Sequence, residues 1–177
     1  MNRLLSLAAL LLALPGPASA ALQVVTTTED LAALTTAVGG DLVHVDPISR
    51  GDLDPHFIDA KPSFMLKLSR ADLVVCVGMD LEVGWLPSLL TGSRNPKVQA
   101  GTPGYLDASG TVSRIEVPSG QIDRSRGDLH SQGNPHYWLD PENGRAAARA
   151  IAARLSQLDP AHAADYAAHL QAFEAEL

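Results

Sequence analysis

His56 and His136 lie 80 positions apart, and each directly follows a proline, in "DPHF" and "NPHY". A preceding proline stiffens the backbone and narrows the conformations open to a loop, which helps hold an imidazole in one direction. Neutral imidazole is the commonest zinc ligand and also serves iron, copper and nickel. A third histidine, His130, stands six positions before His136 in "GDLHSQGNPHYWLDPENG", a stretch rich in Gly, Asn and Pro, away from any apolar stripe. Two readings are open. The histidines either share a metal or are loop residues satisfied locally, because ligands distant in sequence converge only if the fold brings them together.

The other candidates are blander. His44 alternates with apolar neighbours in a strand-like run, and His162 and His169 fall on a terminal helix where solvation is expected. Asp140, followed by Pro141, suits a helix N-cap better than a ligand. Trp85 and Trp138 are expected to pack. Cys76, the only cysteine, sits inside "DLVVCVG" and is expected to behave as a small buried hydrophobe. The chain shows no Ser-His-Asp order, no nucleotide-binding glycine pattern and no H-E-x-x-H motif.

The elements that must position these residues alternate between strand and helix. Leu22–Thr26 reads as a strand. Thr27 with Asp30 resembles a capping box, Gly39 and Gly40 end the first helix, and Leu42–Val45 forms the next strand. Pro62 opens a second helix carrying Phe64, Leu68 and Ala71 inward, and "DLVVCVG" has the continuous apolar character of a parallel strand covered on both faces. A third helix is predicted from Leu81 to Leu90 and a fourth strand at "PKVQAG". From Thr102 to Asn134 the composition suggests a long connection with one strand-like piece, "SRIEVP".

A helix follows Asp140 and runs, with an interruption at Asp159–Pro160, to the last residue. Ala163, Tyr166, Leu170, Phe173 and Leu177 make one apolar stripe that is still in progress at "FEAEL", which reads as a fragment whose remainder would cover it. The pattern implies an α/β class: a lobe with a mostly parallel four-stranded sheet flanked by helices, with ligands expected at the carboxyl ends of the strands. The loop after the second strand, which carries His56, is in that place.

"MNRLLSLAALLLALPGPASA" has one basic residue, an apolar run too short to span a bilayer, helix breakers, and Ala18-Ser19-Ala20 as a cleavage site. It reads as a signal peptide, residues 1–20. A lipoprotein signal would need a cysteine at the junction, so a soluble exported chain, with no internal disulfide, is expected. Without Arg3, 12 basic residues face 20 acidic ones, a charge of −8 that disfavours nucleic acid and anionic membrane and is compatible with cations.

Taken together, "GDLDPHFIDAKPS", "RADLVVCVGMDLEVGWLPSLL" and "GNPHYWLDPENG" resemble the extracytoplasmic metal-binding receptors of ABC importers for zinc and manganese, the ZnuA- and TroA-like group. The resemblance runs from residue 21 to the end. It implies a metal-binding lobe over 21–140, a linking helix over 141–177 that would lead to a second lobe, and His56 and His136 as metal ligands. In that family the second lobe completes the site with a histidine or glutamate and a carboxylate, positions not in this sequence. His130 departs from the pattern of a long His/Asp-rich loop; a third ligand, a capture site at the mouth and an ordinary loop residue are all open for it. Lying between Gly127 and Gly133, it is expected to be auxiliary, ordered by the metal itself.

The resemblance implies a monomeric, non-enzymatic periplasmic solute-binding protein that carries Zn2+, with Mn2+ the alternative, to an ABC permease in the cytoplasmic membrane. Two other readings compete: a secreted zinc-dependent hydrolase using the same histidines with Asp54, Asp59 or Asp140 as base, and a metal-binding adhesin.

Overall fold

The computed structural model describes residues 20–119 and 130–177. The expected signal peptide therefore lies, but for Ala20, outside the described residues. Among the described residues no helix is long and apolar enough to cross a membrane.

Four strands, β1 (Leu22–Thr26), β2 (Val43–Pro47), β3 (Leu73–Cys76) and β4 (Tyr105–Asp107), form one all-parallel sheet in the order β2-β1-β3-β4. The helices α1 (Glu29–Gly39), α2 (Pro62–Arg70), α3 (Leu86–Ser93), α4 (Pro141–Leu158) and α5 (Ala163–Glu176) cover both faces. Strand side chains alternate between faces, and β3 shows it directly. Leu73 and Val75 join the core under α1, α4 and α5, and Val74 and Cys76 join the core under α2 and α3. All four are buried, which accounts for the unbroken apolar run.

Several boundaries differ from the sequence reading. The N-cap of α1 is Thr28, whose hydroxyl accepts from Leu31 N–H; Thr27 instead turns its hydroxyl toward Glu82. "PKVQAG" is not a strand. Pro96 has no N–H to give a ladder, Asn95 accepts from Lys97 N–H to start a 3-10 turn, and the Gln99 amide donates to Leu90 and Asn95 carbonyls. The fourth strand comes after Gly104, where a Cβ would lie 2.4 Å from the Lys97 carbonyl oxygen, so only glycine lets the chain turn into the sheet there. "SRIEVP" is irregular too, with Glu116 at φ 54°.

The third helix begins at Leu86 rather than Leu81. Residues 77–85 instead form a turn with Gly78, Met79 and Asp80 all at positive φ (83°, 50° and 65°). At Gly78 a Cβ would sit 2.0 Å from an Asp107 carboxylate oxygen, which accounts for the glycine.

Asp140 caps α4 as expected, accepting from Glu142 N–H at 2.9 Å. Pro160 pushes Asp159 out of the helical region and ends α4. The chain then doubles back, so the apolar stripe of α5 is not bare. Tyr166 is fully buried, and Leu170 and Phe173 pack on the core shared with α1 and α4. Arg149 on α4 reaches Glu174 on α5 at 2.5 Å. His169, expected in solvent, lies 3.0 Å through Nδ1 from the Val38 carbonyl oxygen at the end of α1.

Candidate metal centre

His56 stands in the loop after β2, and His130 and His136 stand in the segment before α4. In two places the same local device holds an imidazole. Asp54 Oδ1 accepts from the His56 backbone N–H at 2.9 Å and lies 2.7 Å from His56 Nδ1. Asn134 Oδ1 accepts from the His136 backbone N–H at 2.9 Å and lies 2.9 Å from His136 Nδ1. Each is an Asx turn spanning a proline, with one acceptor oxygen gripping both the backbone and the ring of the histidine. Because that oxygen only accepts, Nδ1 carries a proton, and in the neutral ring Nε2 then keeps the lone pair, the form in which imidazole binds a metal. The two N–H groups of His56 in turn hold the Asp54 carboxyl below its usual pKa.

The rings converge. The His56 ring centroid is 5.1 Å from that of His130 and 5.4 Å from that of His136, and His136 rests against Trp138 at 5.3 Å. His56 Nε2 and His130 Nε2 are 3.1 Å apart. With a lone pair on His56 Nε2, His130 supplies the proton in that contact. Two imidazole nitrogens on one tetrahedral zinc lie ~3.3 Å apart for Zn–N bonds of about 2.0–2.1 Å, so the same spacing suits a shared cation in place of the proton. Among the described residues no set of three or more His, Cys, Asp or Glu side chains is already gathered closely enough to hold an ion. His136 must close on the pair for all three to share one.

What brings the three loops together is the turn at 77–85. Trp85 Nε1 donates to the Pro55 carbonyl at 2.9 Å and ties down the His56 loop. The Tyr137 hydroxyl donates to the Val77 carbonyl at 2.7 Å and ties down the residue after His136. The Asp80 carboxylate accepts from the Ser131 hydroxyl and, at 2.8 Å, from the Gln132 amide, the two residues after His130. Burial pushes the Asp80 carboxyl up, but these hydrogen bonds outweigh it and leave its pKa below the usual value.

The turn itself is built on Glu82. This carboxylate is buried at the crevice between β1 and β3, where the strand order reverses, and accepts from Thr27 Oγ1 (2.6 Å), Val77 N–H (2.7 Å) and Gly78 N–H (3.0 Å).

Residues 24–177 match the family described as "ZnuA: Zinc-uptake complex component A periplasmic". The chain belongs to this family. It is 32% identical over 162 residues to "Metal ABC transporter substrate-binding lipoprotein ScbA" of Streptococcus cristatus, covering 90% of this chain and 49% of that protein. It is 33% identical over 159 residues to "Manganese ABC transporter substrate-binding lipoprotein PsaA" of Streptococcus pneumoniae, covering 88% and 48%. A crystal structure of ZnuA superposes with a TM-score of 0.72 at 28% identity, covering 88% of this chain and 54% of that one. A zinc-bound deletion mutant of ZnuA gives 0.73 at 29% identity, with the same coverage. The chain thus spans about half the length of the curated relatives it matches.

In this ZnuA-family chain the structure brings together all three histidines singled out from the sequence. It keeps the others apart from them: His44 is exposed on the edge strand β2, and His162 pairs with Asp159 at 2.6 Å. Cys76 is buried, with its thiol pKa pushed up by burial. His130 is better anchored than its glycine-flanked loop suggested, because Asp80 grips its neighbours. The residues whose positioning roles sequence reasoning missed are Asp54, considered there only as a hydrolase base, Asn134, Asp80 and Glu82. Asp54 and Asn134 had a legible signal, since Asx-Pro-His occurs at both histidines and an Asx side chain two residues before a donor forms a turn. Asp80 and Glu82 had none: a helix expected from Leu81 absorbs Glu82 and leaves Asp80 just in front of it, and the partners of both are distant in sequence.

Proposed function

We propose that His56, His136 and His130 form one wall of a site that captures a divalent transition metal outside the cytoplasmic membrane for delivery to an ABC permease, with zinc preferred to manganese. The observation that carries this reading is the paired Asx-Pro-His clamp, which prepares two Nε2 lone pairs in neighbouring rings before any metal arrives. The family match and the metal-transporter names of the relatives support it. An all-imidazole wall favours zinc, whereas manganese favours carboxylates. In this reading a second lobe of the kind the family uses supplies the remaining donors.

The geometry disfavours two of the three candidate hydrolase bases. Asp54 is committed to His56, and its lowered pKa makes it a poor base at neutral pH; Asp140 is committed to the cap of α4. Competition titration of the exported chain against a chelator should show one Zn2+ bound, more tightly than Mn2+. Tighter Mn2+ binding would reject the metal preference. Ester or peptide hydrolysis that requires zinc and is lost in His56→Ala would reject the binding-protein reading.

The clamps have their own test. Asp54→Ala and Asn134→Ala release the tautomer and direction of the rings, and each should weaken zinc binding by about 10- to 100-fold, the range for residues that orient a metal-bound histidine. Asp54→Asn keeps an acceptor oxygen and should lose much less. Unchanged affinity in both alanine variants would mean that the prolines alone hold the imidazoles.

A further inference from the structure

The Asp80 side chain lies at the tip of the turn after β3, 51 positions from Ser131 and 52 from Gln132, yet it takes a hydrogen bond from each. Its two oxygens divide the work, Oδ2 to Ser131 and Oδ1 to Gln132. Both carboxylate oxygens thus serve the loop. The backbone at Asp80 is at φ 65°, a left-handed conformation that Asp tolerates better than most residues. Immediately before the two gripped residues stands His130, with Nε2 3.1 Å from His56 Nε2. The loop closes on itself just after them, where Gly133 N–H donates to the His130 carbonyl at 3.3 Å with Gly133 at φ 109°.

We infer that Asp80 is the positioning residue that holds His130 against His56, so that the third imidazole is placed before the metal arrives. His56 and His136 are held through their own rings by Asp54 and Asn134; His130 is held through its neighbours. This deepens the metal-binding reading and rests on it for its consequence, though not for the contact itself. The ordering cost of the segment is met in the folded protein by two side-chain hydrogen bonds, so the metal need not meet it on binding.

Two measurements test this, both on the whole chain. The informative variants are Asp80→Gly, which removes the acceptor and tolerates φ 65° without strain, and Asp80→Asn, which keeps an oxygen for Gln132 and offers its NH2 to the Ser131 hydroxyl. In metal-free protein, hydrogen exchange over residues 130–134 should speed up about tenfold or more in Asp80→Gly and stay near wild type in Asp80→Asn, while the β3 amides remain protected. Unchanged exchange over 130–134 in Asp80→Gly overturns the assignment. In competition titration with Zn2+ alone, Asp80→Gly should weaken binding about as much as His130→Ala, and the double variant should be no weaker than His130→Ala. A further loss in the double variant overturns it, because Asp80 would then act on zinc by another route. If His130→Ala leaves zinc affinity unchanged, the ligand reading of His130 falls, and the exchange result alone decides whether Asp80 positions the loop.

Discussion

His56→Ala and His136→Ala should each lower zinc affinity by about 100-fold or more, and His130→Ala by about tenfold. The lower bound for the first pair follows from the ~10- to 100-fold typical of residues that only orient a ligand; removing the ligand itself should cost at least as much. The ranking follows from how each ring is held. His56 and His136 are gripped at both backbone and Nδ1 by an Asx oxygen two residues earlier, so each imidazole has little rotational freedom left to lose. His130 is placed through Ser131 and Gln132, and its own ring meets His56 at 3.1 Å. Competition titration of the three variants at one fixed pH gives the order directly. Equal damage from His130→Ala and His136→Ala would place all three imidazoles on the same footing and defeat the ranking.

Glu82→Ala should destabilise the fold by about 3 kcal/mol or more. It would strip the acceptor from the buried Gly78 N–H and from the Thr27 hydroxyl and leave Val77 N–H only its longer bond to Thr27 Oγ1 at 3.3 Å, and an orphaned buried donor costs about 1–3 kcal/mol. The loss should reach the metal centre as well, because Trp85, Val77 and Asp80 of the same turn tether the three histidine loops. Urea unfolding followed by tryptophan fluorescence measures the first effect. A loss below about 1 kcal/mol would mean that water replaces the carboxylate and that the turn does not depend on it.

Glu82 also predicts a pH dependence. Burial raises its pKa above the ordinary 4.5, although its hydrogen bonds oppose the shift. The folded state then holds the proton more tightly than the unfolded chain. The stability this group contributes is greatest below the unfolded value and declines as pH rises from about 4.5 through the folded pKa. Glu82→Gln, which cannot ionise, should lack that decline.

Much of the scaffold was legible along the chain because its signals are local. Pro62 and Asp140-Pro141 mark helix starts, Gly39–Gly40 a helix end, and "DLVVCVG" a strand buried on both faces. The places where local reading failed share a cause. At "PKVQAG" the Asn95 and Gln99 side chains compete for backbone groups that a strand would use. At Leu81–Trp85 helix propensity gives way to a turn that Glu82 ties to Thr27, 55 positions away. The stripe of α5 was correctly seen as apolar, but only the fold shows that α1 and α4 cover its first turns.

For the candidate site the division is sharper. The sequence by itself determined the two clamps, since Asp54-Pro55-His56 and Asn134-Pro135-His136 close within three residues and need nothing distant to set the ring tautomer. Only the tertiary structure decided that these clamps face each other and that His130 joins them. That convergence depends on Trp85 to Pro55, Tyr137 to Val77, and Ser131 and Gln132 to Asp80, contacts that span 30 to 60 positions. Hydrogen bonds of that range have no periodicity or spacing to announce them. They exist because parallel β1 and β3 deliver the turn at 77–85 to the end of the sheet where the loops of all three histidines meet.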